Sequence, residues 1–180
     1  MKRIRTKEEL AATAAARKQG RIYLLIGLAV GIVMLLLSPE FMLMNTVVMT
    51  ALAISGGLVA ARAAMLHRVE SALSAGSIGG LWATLGFALP FSAYFYYRYY
   101  TLTEAAALQR LSQMSVEQQT YFRNIGITLG TEFVFGEYIS YIFYYLFFAL
   151  IAGWMLGMIG AVIAKRQLIN RGGLHKPRRS

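Results

Sequence analysis

Arg98 and Glu137 stand at the two ends of the one long polar stretch between apolar runs. A guanidinium and a carboxylate at nearly equal depth can form an ion pair, or move a proton when one of them lies deep in an apolar medium. Near a membrane interface such a pair sets register or sits solvated, and an ion pair is the expectation here. Arg62 and Glu70 offer a second pair across a shorter connection. His67 has the imidazole needed to ligate a haem or a chlorin magnesium, but beside Arg68 it reads as an interfacial residue. His175 has no partner at ligand spacing, and Met42, Met44 and Met49, soft enough for Cu(I), read as adaptable packing residues. No metal site is predicted.

The chain has no cysteine and no aspartate, which removes disulfides, thiolate chemistry and any triad built on Asp. No paired carboxylates or His-rich set are visible, so an enzyme is not expected. No ionisable residue sits in the middle of an apolar run, where its cost would imply proton or cation transport.

Tyrosine is the most concentrated polar group. Tyr94, Tyr96, Tyr97, Tyr99 and Tyr100 close one apolar run, and Tyr138, Tyr141, Tyr144 and Tyr145 open the next. Tyr94, Tyr97, Tyr141, Tyr144, Tyr145 and Phe148 are the candidates for contact with lipid, or with a quinone or pigment. Interfacial anchoring accounts for the same rings without a ligand, because amphipathic rings favour the headgroup depth. Bound lipid is the least speculative addition, and no cofactor is predicted.

Small residues give a further pattern. Gly27 and Gly31 share a helical face, as do Gly76 and Gly80 within a ladder from Ala72 to Ala88, and Gly153, Gly157 and Ala161 within another beginning at Ala149. Four-residue spacing of small side chains lets two helix backbones approach closely in lipid. There are more such faces than one four-helix bundle needs, so some are expected to dock other subunits.

The elements that must position these residues are membrane spans. Hydrophobic residues make up 57% of the 180-residue chain and charged ones 14%, outside the usual composition of soluble domains. The run Tyr138 to Ala164 is uncharged and longer than the roughly 20 residues that cross a hydrocarbon core. Earlier spans are read at Ile22 to Leu37, Phe41 to Ala61 and Ser71 to Tyr97, with Pro90 expected to kink the third. The fold class is therefore an all-α integral membrane protein with four transmembrane helices. Its parts are a basic arm over 1–20, three spans within 21–97, a helical loop over 98–137, the fourth span over 138–164 and a basic tail over 165–180.

Finer signals mark the ends. Thr6 with Glu9, Thr101 with Glu104, and Ser115 with Gln118 match capping boxes. The first starts a short helix expected to stop near Gly20, and the other two start short helices in the 98–137 loop, whose Leu108, Leu111, Val116, Tyr121, Phe122 and Ile125 suit a bilayer or a partner. Ser38, Pro39 and Glu40 read as a tight restart. The first apolar run lacks small residues at a cleavage position, so it is read as an uncleaved span.

Charge sets the orientation. With both termini cytoplasmic, fifteen of the eighteen Lys and Arg residues lie inside and Arg98, Arg110 and Arg123 lie outside, as basic loops require. The net charge of +10 follows the span ends and forms no stripe on a folded domain, which favours anionic lipid over nucleic acid. The predicted location is the bacterial cytoplasmic membrane. The predicted role is a non-catalytic accessory or structural subunit of a larger membrane complex, partnered by other integral membrane subunits and anionic lipid. A small channel or transporter made by self-association into a homo-oligomer is the alternative.

Overall fold

The structure, a computed structural model, describes residues 6–37 and 41–170. The restart at Ser38, Pro39 and Glu40, the basic residues Lys2, Arg3 and Arg5, and the tail with Arg171, His175, Lys176, Arg178 and Arg179 lie outside the described residues. Helix accounts for 90% of the structure, and no strand occurs among the described residues. In order come α1 (Lys7–Leu37), α2 (Met42–Met65), a 3-10 turn (Val69–Ser71), α3 (Ala72–Thr101), α4 (Glu104–Ser112), α5 (Val116–Asn124), α6 (Thr131–Phe147), a π turn (Phe148–Ala152) and α7 (Gly153–Asn170). Four continuous helical segments are long and apolar enough to cross a membrane: Lys7–Leu37, Met42–Met65, Val69–Thr101 and Thr131–Asn170.

Local chemistry explains most of the boundaries. The Thr6 hydroxyl accepts from the Glu9 amide at 3.3 Å while the Glu9 carboxylate accepts from the Thr6 amide at 3.2 Å, a reciprocal cap on α1. Ser115 and Gln118 cap α5 in the same way. The expected cap at Thr101 is displaced by two residues. Thr101 ends α3, its hydroxyl donating back to the Tyr97 carbonyl, and Thr103 caps α4 by accepting from the Ala106 amide. The first helix also does not stop at Gly20. It runs on to Leu37, because Gly20 is buried against the Trp82 indole and that contact offsets glycine's poor helix propensity. The last apolar segment begins at Thr131, ahead of the uncharged run that Tyr138 was expected to open. Between α2 and the 3-10 turn the chain reverses at Leu66, His67 and Arg68 without glycine or proline, the His67 and Arg68 amides both donating to the Ala64 carbonyl.

The chain divides into two compact units, one made of the chain up to Pro90 together with the chain from Leu146 onward, the other of Phe91–Tyr145. In the first, α1, α2, the beginning of α3 and α7 meet along glycine and alanine seams. Ala12 and Ala16 cluster with Ala64 and Ala75, and Ala61, Met65 and Ala72 cluster with Ala161 and Ala164. In the second, the end of α3, α4, α5 and α6 surround a core of aromatic rings. Val69–Thr101 is the most buried of the four long segments, 61% of its most apolar window against 22–33% in the others.

Candidate functional site

The glycines form the closest contacts in the first unit. A methyl group on Gly27 would lie 2.2 Å from the Ala83 carbonyl oxygen, and one on Gly31 would lie 2.7 Å from that of Phe87. On Gly76 it would meet the Ala161 methyl at 2.5 Å and the Gly157 oxygen at 2.7 Å, and on Gly80 the Gly153 oxygen at 2.5 Å. A methyl group on Gly57 would lie 2.2 Å from the Gly157 oxygen, and one on Gly157 would lie 2.4 Å from that of Gly76. Every one of these backbones leaves no room for a side chain. The faces expected to be in surplus are thus consumed within the chain, because α3 offers glycines to three helices, Gly76 and Gly80 toward α7, Gly79 toward α2 and Gly86 toward α1.

One buried polar contact joins two of these helices. The Thr84 hydroxyl, fully buried, lies 2.8 Å from the Ala149 carbonyl and 3.0 and 3.1 Å from those of Gly80 and Leu81. Ala149 belongs to the π turn, where the hydrogen-bond ladder shifts by one residue and a carbonyl turns outward for another donor. Gly153 makes room for this contact, since a methyl group there would stand 2.0 Å from the Thr84 hydroxyl oxygen. Thr84 belongs to the small-residue ladder, and its hydroxyl was the available sign that it would do more than pack.

The second unit holds Glu137 and Arg98. Glu137 pairs with Arg110, and Arg98 is not its partner. Arg110 Nε and Nη2 donate to the two carboxylate oxygens at 3.0 and 3.1 Å, and the Tyr141 hydroxyl adds a third bond at 3.1 Å. Arg98 turns instead to the Tyr138 hydroxyl at 3.3 Å. Tyr138, almost wholly buried, has the Arg98 guanidinium 5.9 Å and the Arg110 guanidinium 5.4 Å from its ring centre, within the range of cation–π attraction. Arg110 gave no signal in the sequence, since it reaches Glu137 only because α4 folds back from its cap at Thr103.

The aromatic residues separate into inward and outward sets. Phe91, Phe95, Tyr138 and Tyr145 are buried, with Phe91 stacked on Tyr145 and Phe95 on Tyr141 at 4.6 Å each. Tyr145 is 0% exposed and is a core residue with no surface for lipid or a cofactor. Its seven-residue spacing from Tyr138 puts both on the inward face of α6. Tyr94, Tyr141 and Tyr144 are half-buried, as is Phe148 in the first unit, while Tyr97 is 64% exposed.

The charges at the other loop also re-pair. Arg68 bonds Glu9 and Glu70, which ties the start of α1 to the turn before α3, and the hydrogen bond to Glu70 followed by that to Glu9 raises the guanidinium above its ordinary pKa. Arg62 donates to Gln167 rather than meeting Glu70. His67 is exposed, and among the described residues no three His, Asp or Glu side chains come together as a metal site would require. Met42 is half-buried, Met44 exposed and Met49 buried.

No family model, curated protein or solved structure matches this chain. The functional reading therefore rests on the residues themselves.

Proposed function

We propose that this protein is a non-catalytic accessory or structural subunit of a larger integral membrane complex, in the bacterial cytoplasmic membrane, with both termini cytoplasmic and the 98–137 loop on the outer side. The distribution of lysine and arginine supports the orientation. Support for the role comes from where apolar surface is left uncovered. Exposed leucine, isoleucine or valine on a helix that crosses lipid is covered by lipid, whereas the same side chains outside the spans are open to a partner. Val116 is 79% exposed, Tyr121 61% and Ile125 52%, on a segment whose other residues, apart from Phe122, are Ser, Glu, Gln, Thr, Arg and Asn. These exposed apolar side chains of the 98–137 segment are the observation that supports the reading. Docking then runs through the loop and the outward apolar sides of the spans, such as Trp154, Met155 and Ile159, since the glycine faces are already occupied. The described glycines of α1, α2, α3 and α7 all face a helix or side chain of their own chain, so neither docking nor self-association into a channel would run through them.

Photo-crosslinking from Val116 and from Tyr121 in native membranes tests this. The expected product is a stoichiometric adduct with one other integral membrane protein. An adduct with lipid alone, or only with a second copy, would remove the accessory-subunit reading. Protease accessibility of 98–137 from the cytoplasmic side would reverse the orientation.

A further inference from the structure

The last turns of α2 and α7 enclose a cleft of about 250 Å³ lined by Arg62, Met65, Leu66, Ala164, Gln167 and Leu168. Four of the six are apolar, and the two polar ones stand together, Arg62 donating to the Gln167 side-chain oxygen. A guanidinium carries five N–H groups, so one bond to a neutral amide leaves most of its donors and all of its charge uncompensated. The other arginines that line up near carboxylates are satisfied: Arg68 by Glu9 and Glu70, Arg110 by Glu137. Among the described residues no carboxylate reaches Arg62. Lys165 and Arg166 precede Gln167 and are exposed, adding two positive charges on the same turn. Leu66, 85% exposed, adds apolar surface at the cleft.

A cation over an apolar cleft matches a molecule with an anionic head and a hydrocarbon chain. The volume lies below the roughly 300–1,000 Å³ of pockets that enclose a whole small ligand, so the cleft takes part of a chain while the rest stays in lipid. We propose that this cleft is a binding site for an anionic phospholipid, whose phosphate accepts charge-assisted hydrogen bonds from Arg62 and whose acyl chain lies along Met65, Leu66, Ala164 and Leu168. It deepens the membrane reading given above, and depends on the orientation only for which leaflet supplies the lipid. A failed binding test leaves the orientation standing, and a reversed orientation leaves the site standing.

The test is native mass spectrometry of the full chain in a non-ionic detergent with added phosphatidylglycerol, phosphatidylcholine of the same chains, or glycerol phosphate. The expected result is one tightly held phosphatidylglycerol, weaker phosphatidylcholine and no retained glycerol phosphate. Arg62→Gln lowers phosphatidylglycerol affinity about fivefold or more, the scale of one charge near an anionic surface. Arg17→Gln removes an equal charge from α1, away from the cleft, and leaves that affinity within about twofold. Leu66→Ser, at an exposed position that the fold tolerates, weakens both lipids together. Equal binding of the two lipids overturns the proposal, and so does equal loss in the Arg62→Gln and Arg17→Gln proteins. Retention of glycerol phosphate as strong as that of the lipid overturns the chain contact and with it the assignment.

Discussion

Replacing Gly157 with alanine adds one methyl group where α7 meets α3. The new carbon would lie 2.4 Å from the Gly76 oxygen and 3.0 Å from the Gly80 Cα, both backbone atoms that no side-chain rotation can clear. Ordinary contact begins at 3.4 Å, so the two helices must separate by about 1 Å at this point. A gap of that size forfeits roughly a quarter to a half of each facing dispersion contact, and overpacking of this kind typically costs about 1–3 kcal/mol. Alanine's better helix propensity returns up to about 1 kcal/mol. The net expectation is a loss of up to about 2 kcal/mol against the parent, and of about 1–3 kcal/mol against a control that has the same propensity gain without the clash. Gly136→Ala is the matched control, since nothing lies within 4 Å of a methyl group there. It should be neutral or stabilising by up to about 1 kcal/mol. Reversible unfolding of both variants in mixed micelles of a mild detergent and dodecyl sulfate measures the difference. A Gly157→Ala protein as stable as the Gly136→Ala protein would refute the close backbone packing from which the number comes.

Thr84→Val keeps the shape of the side chain and removes the hydroxyl that reaches Ala149, so it should lose about 0.5–1.5 kcal/mol in the same assay while Thr84→Ser stays near the parent. A double-mutant cycle between Glu137→Gln and Arg110→Gln should give a coupling of about 1 kcal/mol, and the cycle between Glu137→Gln and Arg98→Gln a coupling near zero. The reverse ranking would restore the pairing expected from position alone.

What the sequence made legible was whatever depends on spacing along one helix. The four apolar segments, the glycine faces at 27 and 31, 76 and 80, and 153 and 157, and the caps at Thr6 and Ser115 all follow from local periodicity. Features that depend on another element were out of reach. Gly20 looks like a helix stop until Trp82 is placed against it, and the surplus of small faces looks like a docking surface until α3 is seen to use Gly76, Gly79 and Gly80 toward different neighbours. Arg98 looked like the partner of Glu137 because both bracket the loop, but which arginine arrives is decided by how α4 folds back. Tyr145 shares its composition with the interfacial tyrosines around it, and only its register on α6 turns it inward.

The order in which the seams close carries a consequence for biogenesis. Gly27 and Gly31 find their partners only when α3 has been made, and Gly57, Gly76 and Gly80 stay uncovered until α7 follows. A ribosome that stalled before Gly153 would leave an open slot walled by two finished helices. These glycine faces of α2 and α3 are thus completed last, by the helix that is made last.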